Sequence, residues 1–445
     1  MANIINHRGI FEVDGKPIRL KGFGLGSWLN LEHYMVGMPT PDSMIRTSFE
    51  NVYGKLNAQK FWNNYIYSFI QEEDFKLIKE SGANFLRVPF NYRLLIDDNQ
   101  EGWKEEGFEY LRYLLDLCDK YKIYVLLDLH AAPGGQNPDW HSDNRTGIPQ
   151  FWEFQVFRRQ TTMLWGEIAK RFCDYEYLFG YDLLNEPAMC KWDVLNEFYK
   201  ETIEEIRKYD KNHLIVLEGD RFAMDFTKLE KVKDTKVCLS FHFYPICWYE
   251  ELSSPDCTRA QFNNLFRKVL ETIVSQCKAL EMPFFCGEFG FERDTTPRDL
   301  MYIRMEDNLA IFEEFDIDWV IWTYKDIGDM GLTELAEDSS WKKLTRKIEQ
   351  EWNQDKEKAE AKELLALCKK MRYPMMNENK EYQLSFRMRA NLFELQAAYI
   401  MEKELREIPW EKIKEYPSDF ELKNCNIEER FLNIMKKITH TNLSV

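Results

Sequence analysis

The sequence predicts an α/β chain built as a (β/α)8 TIM barrel with an N-terminal hairpin and a C-terminal helical extension. Short apolar runs alternate with amphipathic helical stretches of some twenty residues or more, and eight such units fit into about three hundred residues, the usual size of this barrel. The other arrangement of such units is a doubly wound open sheet, which normally carries a glycine-rich phosphate loop after an early strand. Phe23-Gly24-Leu25-Gly26-Ser27-Trp28 lacks the third glycine of G-x-G-x-x-G.

In chain order, 11–20 reads as a small hairpin turning at Asp14-Gly15, followed by a strand near Arg19 to Leu25. The second strand, Asn84 to Val88, follows a helix over Phe69 to Ser81. The third, Ile123 to Leu129, follows a helix over Tyr110 to Tyr121. Leu178 to Leu184 is a short buried-type run that follows the helix Phe157 to Cys173 and ends on Asn185-Glu186-Pro187. Proline cannot donate to a sheet ladder and steers its predecessor away from helical geometry, so Asn185 and Glu186 belong at the mouth of this fourth strand. A helix over Val194 to Tyr209 leads to the fifth strand, 214–217, and the sixth is 237–241. The helix Gln261 to Leu280 precedes the seventh, 283–286, and the eighth is 319–322. Residues 1–345 are thus expected to form the barrel and 346–445 the extension. Charge-rich Glu349 to Met371, amphipathic Arg387 to Ile408 and Glu428 to Ile438 read there as helices, packed on the barrel or serving a homo-oligomer.

The formal charge of −16 argues against a nucleic-acid partner and suits a neutral substrate. The ten cysteines contain no C-x-x-C pair, which is buried-thiol usage in a reducing compartment. The N-terminus lacks the apolar core of a secretory signal and no run reaches membrane-span length, so the expected location is cytoplasmic, with no membrane partner.

A barrel gathers its strand ends into one mouth. Here those ends carry Arg87, His130, Asn185 with Glu186, His242 with Tyr244, Glu288 and Trp322. Two carboxylates from strands four and seven can flank a glycosidic bond, one protonating the leaving oxygen and the other attacking the anomeric carbon. A separation of about 5–5.5 Å means retention and roughly 6.5–9.5 Å inversion. Arg87 and Tyr244 are expected to hold Glu288 ionised as nucleophile. Burial is expected to raise the pKa of Glu186, the acid/base. Trp322 suits a sugar platform, since an indole face packs on pyranose C–H groups. Asp128-x-His130 with His141 raises a metal, but no H-x-x-x-H or H-E-x-x-H spacing exists, and neither metal nor cofactor is expected. A serine triad lacks its G-x-S-x-G.

The ordered set Arg87, His130, Asn185-Glu186-Pro187, His242-x-Tyr244, Glu288 and Trp322 resembles glycoside hydrolase family 5, over roughly residues 9 to 345. The resemblance implies a retaining β-glycosidase with Glu186 as acid/base and Glu288 as nucleophile. It further implies that Asn185 binds the sugar 2-hydroxyl, His130 a neighbouring hydroxyl, and that His242 lies beside Glu186. Residues 24–32 and 128–137 are similar to the exo-β-1,3-glucanase branch, where two acidic loops bind the outer hydroxyls of the terminal sugar. Glu32 matches the first and Asp143-Asn144 the second, while 138–142 and the tail beyond Lys343 depart from that branch. The expectation is an exo-acting β-glycosidase of glucosides or short oligosaccharides. An endo-β-glucanase or β-mannosidase of the same family, and a non-catalytic carbohydrate-binding barrel, are the alternatives.

Overall fold

The computed structural model describes residues 4–7, 10–13, 15–97, 102–245, 257–291, 297–352, 378–388 and 393–440, together with 252, 363, 366–367 and 390. Eight parallel strands close into a barrel in chain order: β1 (Lys21–Gly24), β2 (Phe85–Asn91), β3 (Tyr124–Ala131), β4 (Leu178–Asp182), β5 (Leu214–Glu218), β6 (Val237–His242), β7 (Phe284–Gly290) and β8 (Trp319–Trp322). The last pairs back onto the first, Ile321 beside Phe23, so the sheet has no free edge. The strands are near-continuous apolar runs because helices cover their outer faces. These include Glu72–Glu80, Glu105–Tyr121, Gln155–Phe172, Trp192–Ile206, Arg259–Ala279 and Arg298–Glu314.

Three departures from the sequence expectation matter. A strand at Ile4–His7 joins Ile10–Val13 and Lys16–Ile18 in an antiparallel sheet, where a two-stranded hairpin was expected; position 14 of the expected turn lies outside the described residues. Two helices, Asp42–Tyr53 and Lys55–Phe69, fill the connection from β1 to β2. Between β5 and β6 the chain makes only a short turn, Asp220–Ala223, in which Arg221, Phe222 and Ala223 have positive φ.

Helix Ser340–Glu351 runs into the extension, and most of the stretch expected as the helix Glu349 to Met371 lies outside the described residues. The segment Arg387 to Ile408 divides between the helices Glu378–Met388 and Glu394–Arg406, and Glu429–His440 closes the described chain. The extension is stitched to its own barrel. Cys425–Ile427 pairs antiparallel with Thr333–Leu335 of the loop after β8, and the buried ammonium of Lys325 donates to Phe69 O (2.6 Å) and Phe420 O (2.8 Å) beside Asp74. The inward residues of Glu394–Arg406, Ala397, Met401 and Leu405, are buried, as an amphipathic helix on a core requires.

Candidate active site

The site starts from a close approach in the backbone. Pairing of β7 with β6 slips between Cys286 and Glu288, a bulge that re-aims the glutamate toward the barrel axis. Gly287 permits it, since a Cβ there would lie 2.0 Å from Ser240 Oγ. Glu186 stands just past β4 with φ 48, a left-handed conformation that a non-glycine residue adopts at a cost of about 1–2 kcal/mol. Two hydrogen bonds hold it there. Its N–H donates to Glu218 Oε2 at 2.6 Å, and its carbonyl accepts from Asn137 Nδ2 at 3.0 Å.

Arg87 is the hub. From the third position of β2, fully buried, it donates through Nε to Asp182 Oδ2 (3.0 Å) and through Nη1 to Glu288 Oε2 (3.0 Å). Its Nη2 donates to Asn185 Oδ1 (2.8 Å) and Glu218 Oε1 (3.1 Å), with Asp128 Oδ1 at 3.2 Å. The Tyr244 hydroxyl donates to the other oxygen of Glu288 at 2.7 Å. Burial, reinforced by the Glu288 charge, pushes the Tyr244 phenol well up, so it remains a donor.

Glu186 lies between two imidazoles. His242 Nδ1 is 2.7 Å from its Oε1 and His141 Nε2 is 3.1 Å from its Oε2. His242 reaches Glu218 through its other nitrogen (3.0 Å), and its Nδ1 is 3.8 Å from Glu288 Oε2. One oxygen of Glu186 and one of Glu288 lie within 4.8 Å of each other, so the two carboxyl groups face one another across the mouth.

His130 at the end of β3 is similarly flanked, Nδ1 by Asp128 (2.7 Å) and Nε2 by Glu32 (3.2 Å). Burial opposes its charge, but the two carboxylates outweigh it and raise the imidazole to about 10. Its ring stacks at 6° against Trp322, whose Nε1 donates to Tyr34 Oη at 2.9 Å. The loop after β1 must pass close to that indole: a Cβ on Gly24 or Gly26 would fall 2.5 Å from its ring atoms.

The charge balance of the pair corrects the expected one. Burial pushes the Glu186 carboxyl up, but the hydrogen bonds and charges of His141 and His242 outweigh it and hold it below the ordinary range. Burial also raises Glu288, and with the Glu186 charge it prevails over His242 and Arg87. Arg87 protects Glu288 weakly because its one positive charge is shared among Asp128, Asp182, Glu218 and Glu288. The two imidazoles thus bias Glu186 toward its charged form, and burial beside the Glu186 charge biases Glu288 toward its neutral form.

Asp143 and Asn144 have hydrogen-bond partners outside the carboxylate pair. Asp143 accepts from Ser43 N (2.8 Å), Asn91 Nδ2 (3.2 Å) and Arg93 Nε (2.8 Å), while Asn144 Nδ2 donates to the carbonyls of Asn137 and Ile148. Their polar atoms brace the loop after β3. Glu218, Asp182, His141, Asn137 and Tyr34 are part of the site and were not read from the sequence in that role. Glu218 carried a signal, since it ends the fifth apolar run. His141 was singled out only as a possible metal ligand with Asp128 and His130, a role set aside on spacing. Glu186, His242 and Glu288 also form the one group among the described residues whose ligand atoms converge for a metal. Both nitrogens of His242 already face carboxylates and Arg87 adds positive charge at Glu288, so these residues do not fit a cation.

Residues 46–328 match the family model Cellulase, described as cellulase (glycosyl hydrolase family 5). The chain belongs to that family. It is 33% identical over 349 residues to the β-xylosidase of Phanerodontia chrysosporium, covering 76% of this chain and 73% of that protein. It is 28% identical over 211 residues to the probable glucan 1,3-β-glucosidase A of Emericella nidulans, covering 45% of this chain and about half (51%) of that one. In fold it is similar to the endoglucanase Cel5A of Thermotoga maritima, with a TM-score of 0.53 at 18% identity, covering 70% of this chain and 91% of that one. The protein is a retaining glycoside hydrolase with a (β/α)8 catalytic barrel. Among the described residues no helix is long and apolar enough to cross a membrane.

Proposed function

We propose that this family 5 enzyme is an exo-acting β-glycosidase working by double displacement on β-glucosides or short β-linked oligosaccharides. The observation that carries the mechanism is the Glu186–Glu288 pair, with oxygens within 4.8 Å and each carboxyl held by its own set of donors. Glu288 attacks the anomeric carbon while Glu186 protonates the leaving oxygen; a water then enters, Glu186 takes its proton, and the glycosyl–Glu288 ester is cleaved. Before the first step a proton moves onto Glu186 from an adjacent imidazole, 2.7 or 3.1 Å away. Asn185, His130 and Glu32 address hydroxyls of the sugar being cleaved, and Trp322 lies beside it.

Two observations favour exo action. Glu32, from the loop after β1, sets a carboxylate against His130 within the mouth, where it can accept from hydroxyls of a terminal sugar. The 33%-identical relative is named a β-xylosidase. A reducing, cytoplasmic setting suits the buried thiols of Cys118, Cys238, Cys277 and Cys286. Leu395 and Tyr399, exposed one turn apart on Glu394–Arg406, support assembly of copies through the extension; a monodisperse monomer in solution would count against it.

The test is a panel of chromogenic β-glucoside, β-xyloside, β-mannoside and β-galactoside, followed by product analysis on an oligosaccharide. An exo enzyme releases a single terminal sugar from the first time points. Internal fragments at early times would replace the reading with an endo one, and no turnover on any substrate would leave a binding barrel.

A further inference from the structure

We propose that His141 is a positioning residue for the acid step, holding Glu186 through Oε2 and storing the proton that this carboxylate delivers. The inference rests on the reading of Glu186 as acid/base.

The geometry comes from two directions. His141 sits in the short helical turn Trp140–Ser142 of the loop after β3, with Nε2 3.1 Å from Glu186 Oε2. The same nitrogen is 2.8 Å from Asn137 Nδ2. The Asn137 amide has its orientation set by other partners: Oδ1 accepts from Asp139 N–H at 3.0 Å and Nδ2 donates to the Glu186 carbonyl at 3.0 Å. Its remaining N–H therefore points at His141 Nε2.

Nε2 is thus placed between a fixed N–H donor and a carboxyl oxygen. When it carries a proton it donates to the Glu186 carboxylate. When it does not, it accepts from Asn137, and the proton lies on Oε2. One proton crossing 3.1 Å interconverts these states: the Nε2–H bond breaks, the Oε2–H bond forms, and the imidazolium–carboxylate pair becomes two neutral groups. Asn137 stabilises the neutral imidazole that is left, which favours the loaded acid.

Several groups among the described residues face this switch, and Asn30 Nδ2 holds the His141 carbonyl at 2.9 Å. His130 stands 5.7 Å away between ring centroids and, as an imidazolium, disfavours a second cation at His141; Asp139 acts in the opposite sense. The ring of Phe222, 6.1 Å off, adds an apolar wall. On the other side of Glu186 stand His242, bonded to Oε1, and Glu288 beyond it. Two imidazoles on one carboxyl leave little freedom for its plane to rotate.

The experiment compares two β-glycosides of the same sugar, one with a dinitrophenyl aglycone that departs without protonation and one with an unsubstituted phenyl aglycone that needs the acid. In His141→Phe, kcat/KM on the phenyl glycoside should fall about 10- to 100-fold while the dinitrophenyl glycoside loses less than about 3-fold. His141→Gln, which keeps a donor of similar reach, should show a smaller loss with the same selectivity. Equal losses on both substrates, or none on either, would overturn the inference. Should His141→Phe fail to fold, His141→Gln on the same pair decides alone. Glu186→Ala is run in parallel: it should show the same selectivity more strongly, with turnover of the dinitrophenyl substrate restored by azide. If it does not, the acid/base reading has failed, separately from the role of His141.

Discussion

At the N-terminal rim of the barrel, Phe85, Phe179 and Phe285 meet Phe11 of the hairpin, with ring centroids 4.9 to 6.4 Å apart and steep interplanar angles. At the other rim of the same strands, Arg87 is ringed by Asp128, Asp182, Asn185, Glu218 and Glu288, all buried. One end of the barrel excludes water with edge-to-face aromatic contacts that are satisfied by packing alone. The other buries charges that are tolerable only because each has a partner. A substitution at the first end should cost stability and spare chemistry, and one at the second should do the reverse or both.

The sharpest separation is Glu288→Gln. We expect kcat to fall by at least about four orders of magnitude with the melting temperature little changed, measured by steady-state assay and thermal melt. A variant that still turns over at appreciable rate would break the assignment of the nucleophile. Arg87→Met should fail on both counts. Removing the guanidinium takes the shared cation from Asp128, Asp182, Glu218 and Glu288, at a cost of about 3–5 kcal/mol by urea unfolding, with activity lost alongside.

Phe11→Ala probes the opposite rim. It should cost about 3 kcal/mol of stability while kcat per folded molecule stays within about 2-fold; a large loss of kcat would show that the two ends are coupled. The smallest effect concerns His130. Its folded pKa, about 10, lies above the ordinary value for an imidazole. Its contribution is therefore fully present below about pH 6.5 and is lost as pH rises from there through 10. Wild-type stability should decline over that window more steeply than that of His130→Gln, by about a few degrees of melting temperature. Parallel curves would remove the ion-pair account of Asp128, His130 and Glu32.

The barrel was legible because its strands are buried on both faces and so appear as unbroken apolar runs, among them Leu214–Leu217 and Trp319–Trp322. The connection after β1 was legible only in its last helix, expected over Phe69 to Ser81 and found at Glu72–Glu80; the helices Asp42–Tyr53 and Lys55–Phe69 that precede it were not expected. In the site, His130, Glu186 and His242 stood out as polar groups where apolar runs stop. Asp182 and Glu218 also end their runs, yet nothing in a linear reading says that both reach one guanidinium. Asp143 shows the converse: its place in the chain suggested a sugar ligand, and nothing in a linear reading foretold its hydrogen bonds to Ser43, Asn91 and Arg93.

By itself, then, the sequence determined the eight-stranded barrel, the two glutamates at strands four and seven, and the order of groups around its mouth. Local periodicity and residue type are enough to specify strand ends, and in a closed parallel barrel every strand end faces the same opening. Only the tertiary structure decided the charge balance among those groups. That balance depends on how one arginine is divided among its carboxylates and on His141, brought to Glu186 by a loop whose course is set by contacts distant in the chain, and Coulomb energies follow distance and burial, not sequence order.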